Sequence, residues 1–225
     1  MDKCSIEYLM KTSCDGGSKI IAFCGAGGKT TDIHVLRDYC LAENKTVLVT
    51  TTTHMLLEDG CVSDVQEIIG KLDRERYAFA GIPMNLSSTG QSGKQCKIAS
   101  LTDDERRLAQ THADVTLIEA DGARCLPFKV PKPWEPVIPP ETTDVVLVMG
   151  MDAEKRRICD ICYNPEGVAD ALGVSVTTCL TREMMVRAYL NTYVRIIREK
   201  YSETRIFIHM NEKTGQAIPE LFLVL

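Results

Sequence analysis

Five apolar residues in succession, Ile20, Ile21, Ala22, Phe23 and Cys24, run into a cluster of glycines and then into a stretch compatible with a helix over 29–43. A strand with no polar residue on either face must be covered on both, and a sheet sandwiched between layers of helices supplies that. The pattern recurs along the chain. Short β-branched runs at 46–50, 77–80, 115–118, 145–149 and 205–208 read as further buried strands, and 102–111, 165–172 and 181–200 read as helices. Thr102 and Glu105 have the spacing of a capping box, which anchors one helix start. Strand and helix in alternation predict right-handed crossovers and the α/β class, a mostly parallel sheet flanked by helices.

With 225 residues, of which 44% are hydrophobic and 25% charged, the chain can build one ample core. A single domain over 1–225 is therefore expected. The segments 81–95 and 127–140, rich in glycine and proline respectively, are expected to be flexible or extended loops, and Gly70 followed by Lys71 reads as the end of a helix. A net charge of -5 disfavours nucleic acid as a partner. No apolar run approaches the roughly 20 residues of a membrane span, so no membrane association is expected. The start, Met1 to Ser5, lacks the apolar region of a signal peptide, and the ten cysteines are scattered without a framework. Cytoplasmic residence with reduced thiols is the resulting expectation. Cys159 and Cys162 have the spacing of half a zinc or redox site, but no second pair accompanies them, and they read as structural thiols.

The glycine cluster is Gly25, Ala26, Gly27, Gly28, followed by Lys29, Thr30 and Thr31. Glycines let backbone N–H groups converge on phosphate oxygens, and the following helix directs its positive end at the anion. Lys29 suits terminal phosphate charge, and the Thr30 hydroxyl suits Mg²⁺. Eight-residue phosphate loops carry their first glycine five positions before the second, where this chain has Phe23, so the loop is a shorter one that resembles the ATP loop of the Mur ligases. A second Gly-x-x-Gly-Lys, at 90–94, has no strand before it and no helix after it, and reads as a loop.

In open α/β sheets ligands bind outside the carboxyl ends of the strands. There the run at 115–118 ends in Glu119 and Asp121, spaced so that both can face one side, as metal ligands or catalytic groups alongside Lys29. The 46–50 run ends in four threonines, including Thr52, and in His54, a candidate substrate-binding group or a structural residue. Arg124, Lys129 and Lys132 follow the carboxylates and are candidates for an anionic substrate, with Trp134 placed to stack or to cover the core. Asn211 follows the last apolar run in the manner of a base-reading Asn, although Glu212 separates it from Lys213, which leaves ATP and GTP both open.

Taken together, 23–31, 49–54, the block Glu119-Ala120-Asp121-Gly122-Ala123-Arg124, and Pro127-Phe128-Lys129-Val130-Pro131 followed by Glu135-Pro136-Val137-Ile138-Pro139 resemble the YqeC family, from about residue 19 to 211. That family carries the designation of selenium-dependent or molybdenum hydroxylase accessory protein. The resemblance implies a P-loop NTPase-like domain that uses Mg²⁺ and a nucleoside triphosphate, ATP or GTP. It further implies an NTPase or phosphoryl-transfer role in maturing a molybdenum or selenium hydroxylase or its cofactor, with Glu135 and Lys129 at the substrate. A nucleotide-gated binding protein and an ATP-dependent ligase remain the alternatives.

Overall fold

The computed structural model describes residues 4–5, 17–84, 96–211 and 220–224. In chain order the strands are β1 (Cys4–Ser5), β2 (Lys19–Ala26), β3 (Val47–Thr51), β4 (His54–Leu56), β5 (Tyr77–Phe79), β6 (Ile82–Met84), β7 (Lys97–Ala99), β8 (Val115–Glu119), β9 (Phe128–Lys129), β10 (Asp144–Gly150), β11 (Cys162–Tyr163), β12 (Arg205–Asn211) and β13 (Glu220–Val224). The helices are α1 (Lys29–Ala42), α2 (Val65–Glu75), α3 (Asp103–Gln110), α4 (Ile158–Ile161), α5 (Pro165–Leu172), α6 (Arg182–Tyr189) and α7 (Arg195–Lys200). A π turn, Leu190–Val194, joins α6 to α7.

The main sheet runs β1-β13-β12-β10-β2-β8-β3-β5. Its six strands from β12 to β5 are parallel to their neighbours, and only β13 and β1 are antiparallel. The α/β expectation is met, and all six long apolar runs are strands. Alternation within the strands decides which helix covers which face. Ile21, Phe23, Val146, Val148 and Phe207 point one way and pack on Ile33, Leu36 and Cys40 of α1. Their neighbours Ala22, Cys24, Val145, Leu147, Ile206 and Ile208 point the other way, onto Val168, Met185, Ala188, Tyr189 and Ile197 from α5 to α7. Leu48 and Ala78 pack with Ile68 and Leu72 of α2 and Ala109 of α3. No helix among the described residues is long and apolar enough to cross a membrane.

The helix starts are encoded locally. Thr102 accepts from the Glu105 N–H while Glu105 reaches back to the Thr102 N–H, the capping box expected from sequence. Thr181 accepts from the Met184 N–H at the head of α6. Two expectations are corrected. Gly70 does not end a helix: α2 runs through it from an Asp64 cap to Arg76, whose φ of 59° makes the left-handed stop. Burial of Ile68 and Leu72 offsets the entropy that an interior glycine costs. The proline-rich segment 127–140 does not simply lie over the surface, because Phe128, Lys129, Val130 and Ile138 are buried and β9 pairs with β11. Of the expected loop 81–95, Ile82–Met84 forms β6 in a three-stranded sheet ordered β4-β7-β6. Residues 85–95, including the second Gly-x-x-Gly-Lys, lie outside the described residues.

Candidate nucleotide site at the carboxyl edge of the sheet

β2 lies between β10 and β8, and β8 between β2 and β3, so the ends of β2, β8 and β3 lie side by side. Register sets Glu119 beside Phe23 on one side and Thr51 on the other. The turn out of β2 requires glycine: φ is 93° at Gly25, 84° at Gly27 and 136° at Gly28. Space requires it too. A Cβ on Gly27 would lie 2.5 Å from the Gly150 Cα and 2.6 Å from the Pro127 carbonyl oxygen, and one on Gly28 would lie 1.8 Å from the Asn211 Nδ2.

Gly28 heads α1 without a side-chain cap, and the first backbone bond into the helix is from the Asp32 N–H to the Gly28 carbonyl, 3.0 Å. Among the described residues, the N–H groups of Gly27, Gly28, Lys29, Thr30 and Thr31 donate to no protein acceptor. Five open amides at the positive end of a 14-residue helix make an anion cradle.

Lys29, Glu119 and Asp121 converge on this loop. The Lys29 ammonium donates to the Gly25 carbonyl at 2.6 Å, lies 3.1 Å from Asp121 Oδ1 and 4.0 Å from Glu119 Oε1. Burial alone pulls the ammonium toward deprotonation, but the two carboxylates outweigh it and its pKa is raised. Asp121 has no exposed surface. The Gly25 N–H donates to its two oxygens at 3.1 and 3.0 Å, the Tyr193 hydroxyl donates at 2.5 Å, and Lys129 lies 3.3 Å away. Burial raises its pKa, yet Lys29, Lys129 and these donors win, and the carboxyl is held below its ordinary range. Glu119 behaves in the opposite way, because burial dominates and lifts its pKa despite Lys29.

The Thr30 hydroxyl donates to Glu119 Oε2 at 3.2 Å, which puts two hard oxygen ligands together beside the open amides. That donor set fits Mg²⁺, which takes one or two protein oxygens and completes its shell with phosphate and water. Asp121, the third expected ligand, has both oxygens engaged by protein donors. Among the described residues no group of three or more His, Cys, Asp or Glu is placed to hold a metal by itself. Cys162 is buried, with its thiol pushed up to about 12 by desolvation, while Cys159 is exposed.

The remaining candidates divide. Asn211 packs its carboxamide on Gly28, at the cradle. Thr31 is exposed on the first turn of α1. Thr52 donates its hydroxyl to the Val137 carbonyl at 2.6 Å, and His54 is exposed at the start of β4, paired with Ala99. Lys129 is fully buried, donating to the Gly122 carbonyl at 2.8 Å and to Glu135 Oε2 at 2.6 Å. Lys129 and Glu135 therefore brace Asp121 in this structure, and Arg124 is exposed nearby over the Tyr163 ring.

Four residues of the site went unread in the sequence. Tyr189 donates to the Val148 carbonyl at 2.8 Å and would clash with any Cβ on Gly25, while Tyr193 holds Asp121 from within the π turn. Their spacing of four on one helical face was the available signal. Asp32, in the first turn of α1, bonds His209 Nδ1 at 2.7 Å with both side chains buried. No local pattern links residues 177 positions apart.

An eight-stranded, mostly parallel sheet between helices, with a glycine loop leaving a central strand, defines an α/β protein. The family model described as YqeC protein matches residues 21–166, and the chain belongs to that family. It is similar to the uncharacterized protein YqeC of Escherichia coli K12, with 33% identity over 135 residues, covering 58% of this chain and 51% of that protein. The chain thus spans about half the length of the curated relative it matches. Comparison with solved structures gives no match.

Proposed function

We propose that the chain binds a nucleoside triphosphate, ATP or GTP, together with Mg²⁺ at the loop 25–31, and serves as an accessory protein in maturing a molybdenum or selenium hydroxylase. The observation that carries the reading is the run of five open amides from Gly27 to Thr31, beside an ammonium and a Thr–Glu oxygen pair. The amides take the phosphate oxygens in place of water. Lys29, now shared between the Gly25 carbonyl and Asp121, would turn to the terminal phosphate, and Thr30 and Glu119 would hold the metal. Mg²⁺ would neutralise phosphate charge and orient the polyphosphate. The hydroxylase pathway is taken from the designation of the family that the sequence resembles.

Phosphoryl transfer needs a group to orient the attacking nucleophile. Asp121 is committed to five protein contacts and Glu119 would be committed to the metal, which favours slow turnover or a nucleotide-gated switch over a fast hydrolase. Thermal unfolding with and without Mg-ATP or Mg-GTP tests the core of the reading. A ligand at 100 times its Kd stabilises by about 2.7 kcal/mol, or roughly 5–11 °C for a chain of this length. Lys29→Ala should lose most of that ligand-induced shift. An equal shift in Lys29→Ala and the parent would refute the assignment.

A further inference from the structure

Cation–aromatic pairs occur about once in 70–80 residues, so about three are expected in a chain of this size. The described residues hold six, and four of them fall on two rings at one place. The Arg124 guanidinium lies 5.3 Å from the Tyr163 ring centre, Lys129 lies 5.5 Å and Lys132 4.5 Å from the same ring, and Lys132 is also 5.4 Å from Trp134. Lys132 donates to the Tyr163 hydroxyl at 2.7 Å, so its ammonium is held in place between a half-buried tyrosine and a tryptophan that is 69% exposed.

The three cations differ in what they have left to offer. Lys129 is neutralised by Asp121 and Glu135 and is wholly buried. Arg124 is exposed, and Lys132 makes its bonds to a neutral phenol, so both retain charge for a ligand. The backbone beneath them is strained: Arg124 and Cys125 are consecutive non-glycine residues at φ 49° and 61°. Such conformations cost energy and gather where a chain positions functional groups. The same segment leads to Pro127, whose carbonyl accepts from the Gly150 N–H and sits against Gly27, which places the surface on the loop's side of the sheet.

We propose that Arg124, Lys132, Trp134 and Tyr163 form a binding site for a phosphorylated heteroaromatic molecule. The flat ring of the ligand stacks on the open face of Trp134, and its phosphate is held by Lys132 and Arg124. A flat π-system alone would not need two unneutralised cations, and a phosphate alone would not need an exposed indole. The site adds a ligand beyond the nucleotide of the loop and does not rest on that nucleotide.

Trp134 is the single tryptophan of the chain, so its emission reports directly on the surface. The probes are AMP, GMP and UMP, with ribose 5-phosphate and adenosine as the two halves of the chemistry. At least one monophosphate should quench Trp134 saturably, with ribose 5-phosphate and adenosine at least about tenfold weaker. Lys132→Met and Arg124→Gln should each raise the Kd about tenfold, the size of one cation contact, while Lys29→Ala should leave it unchanged. Both loop substitutions lie at positions with partial or full exposure, and thermal unfolding confirms that each variant is folded. No saturable quenching by any of the three monophosphates would overturn the proposal. So would quenching that disappears in Lys29→Ala but survives in Lys132→Met and Arg124→Gln, since that pattern belongs to the phosphate loop.

Discussion

Replacing Asp121 by the isosteric Asn removes a charge from the centre of the site and turns one of its two acceptor oxygens into a donor. In the parent protein the carboxylate faces two ammonium groups, at 3.1 Å from Lys29 and 3.3 Å from Lys129, and accepts from the Gly25 N–H and the Tyr193 hydroxyl. All of this is buried. Removing one partner of a buried pair costs about 3–5 kcal/mol, because the opposing charge is left desolvated. Here Lys129 keeps Glu135 at 2.6 Å and Lys29 keeps the Gly25 carbonyl, which moderates the loss to about 2–4 kcal/mol. In urea, with a slope of about 2 kcal/mol/M, the unfolding midpoint should fall by roughly 1–2 M without a change in slope. The acid side gives an independent reading. The folded pKa of Asp121 is depressed, so its stabilisation is complete above the unfolded value near about 3.9 and is lost as pH falls from there through the folded value. The Asn variant should therefore lose less stability than the parent across that window. A midpoint within about 0.3 M of the parent, with an unchanged acid profile, would show that the ammonium groups do not depend on this carboxylate.

Gly28→Ala should abolish triphosphate-induced stabilisation while costing the free protein about 1–3 kcal/mol, because the new methyl meets Asn211 at a φ of 136°; calorimetric titration with Mg-ATP showing parental affinity would contradict the cradle geometry. Glu119→Gln should be at least as stable as the parent at pH 7, since a carboxyl with a raised folded pKa destabilises the fold as pH rises through that value, and the gain should vanish below about pH 4. Loss of more than about 1 kcal/mol in that variant, by urea unfolding at pH 7, would count against a burial-dominated Glu119. Metal-free ATP affinity should weaken as pH rises and Glu119 ionises, more steeply in the parent than in Glu119→Gln, where only the ATP phosphate titrates, and added Mg²⁺ should remove the difference; identical pH profiles in the two proteins would separate Glu119 from the phosphate site.

The long elements were legible because each carries its own signal. An apolar β-branched run ending in glycine, as at 20–25, needs no distant partner to be recognised, and the Thr102–Glu105 box is a local bond. Two- and three-residue strands such as β4, β6, β9 and β11 carry no periodicity to read, and Gly70 misleads because the packing that holds it in α2 comes from the sheet. The site was legible in the same measure. Loop, lysine, hydroxyl and carboxylates were placed together from sequence, and Lys29, Thr30, Glu119 and Asp121 do meet. Lys129 read as a cation for an anionic substrate because the sequence does not reveal that Asp121 and Glu135, eight and six positions away, fold onto it from both sides. Tyr193 and His209 were missed because their partners lie 72 and 177 residues away.

Charge in the buried part of the site bears on what would accompany the proposed nucleotide. Lys29 and Lys129 supply two positive charges, and Asp121, Glu119 and Glu135 supply three negative ones when all are ionised. A bare triphosphate approaching the amides of 27–31 then meets a net negative group, with its one usable ammonium already engaged by Asp121 and the Gly25 carbonyl. Glu119 is the member that can yield, either by taking a proton, which its raised pKa favours, or by giving its charge to a divalent cation beside Thr30. Asp121 cannot yield in this way, since its pKa is depressed and its oxygens are occupied. The two carboxylates, two residues apart on one strand end, thus differ in role: Asp121 fixes the shape of the loop and the position of both ammonium groups, and on the proposed reading Glu119 would make affinity for a polyphosphate conditional on a metal.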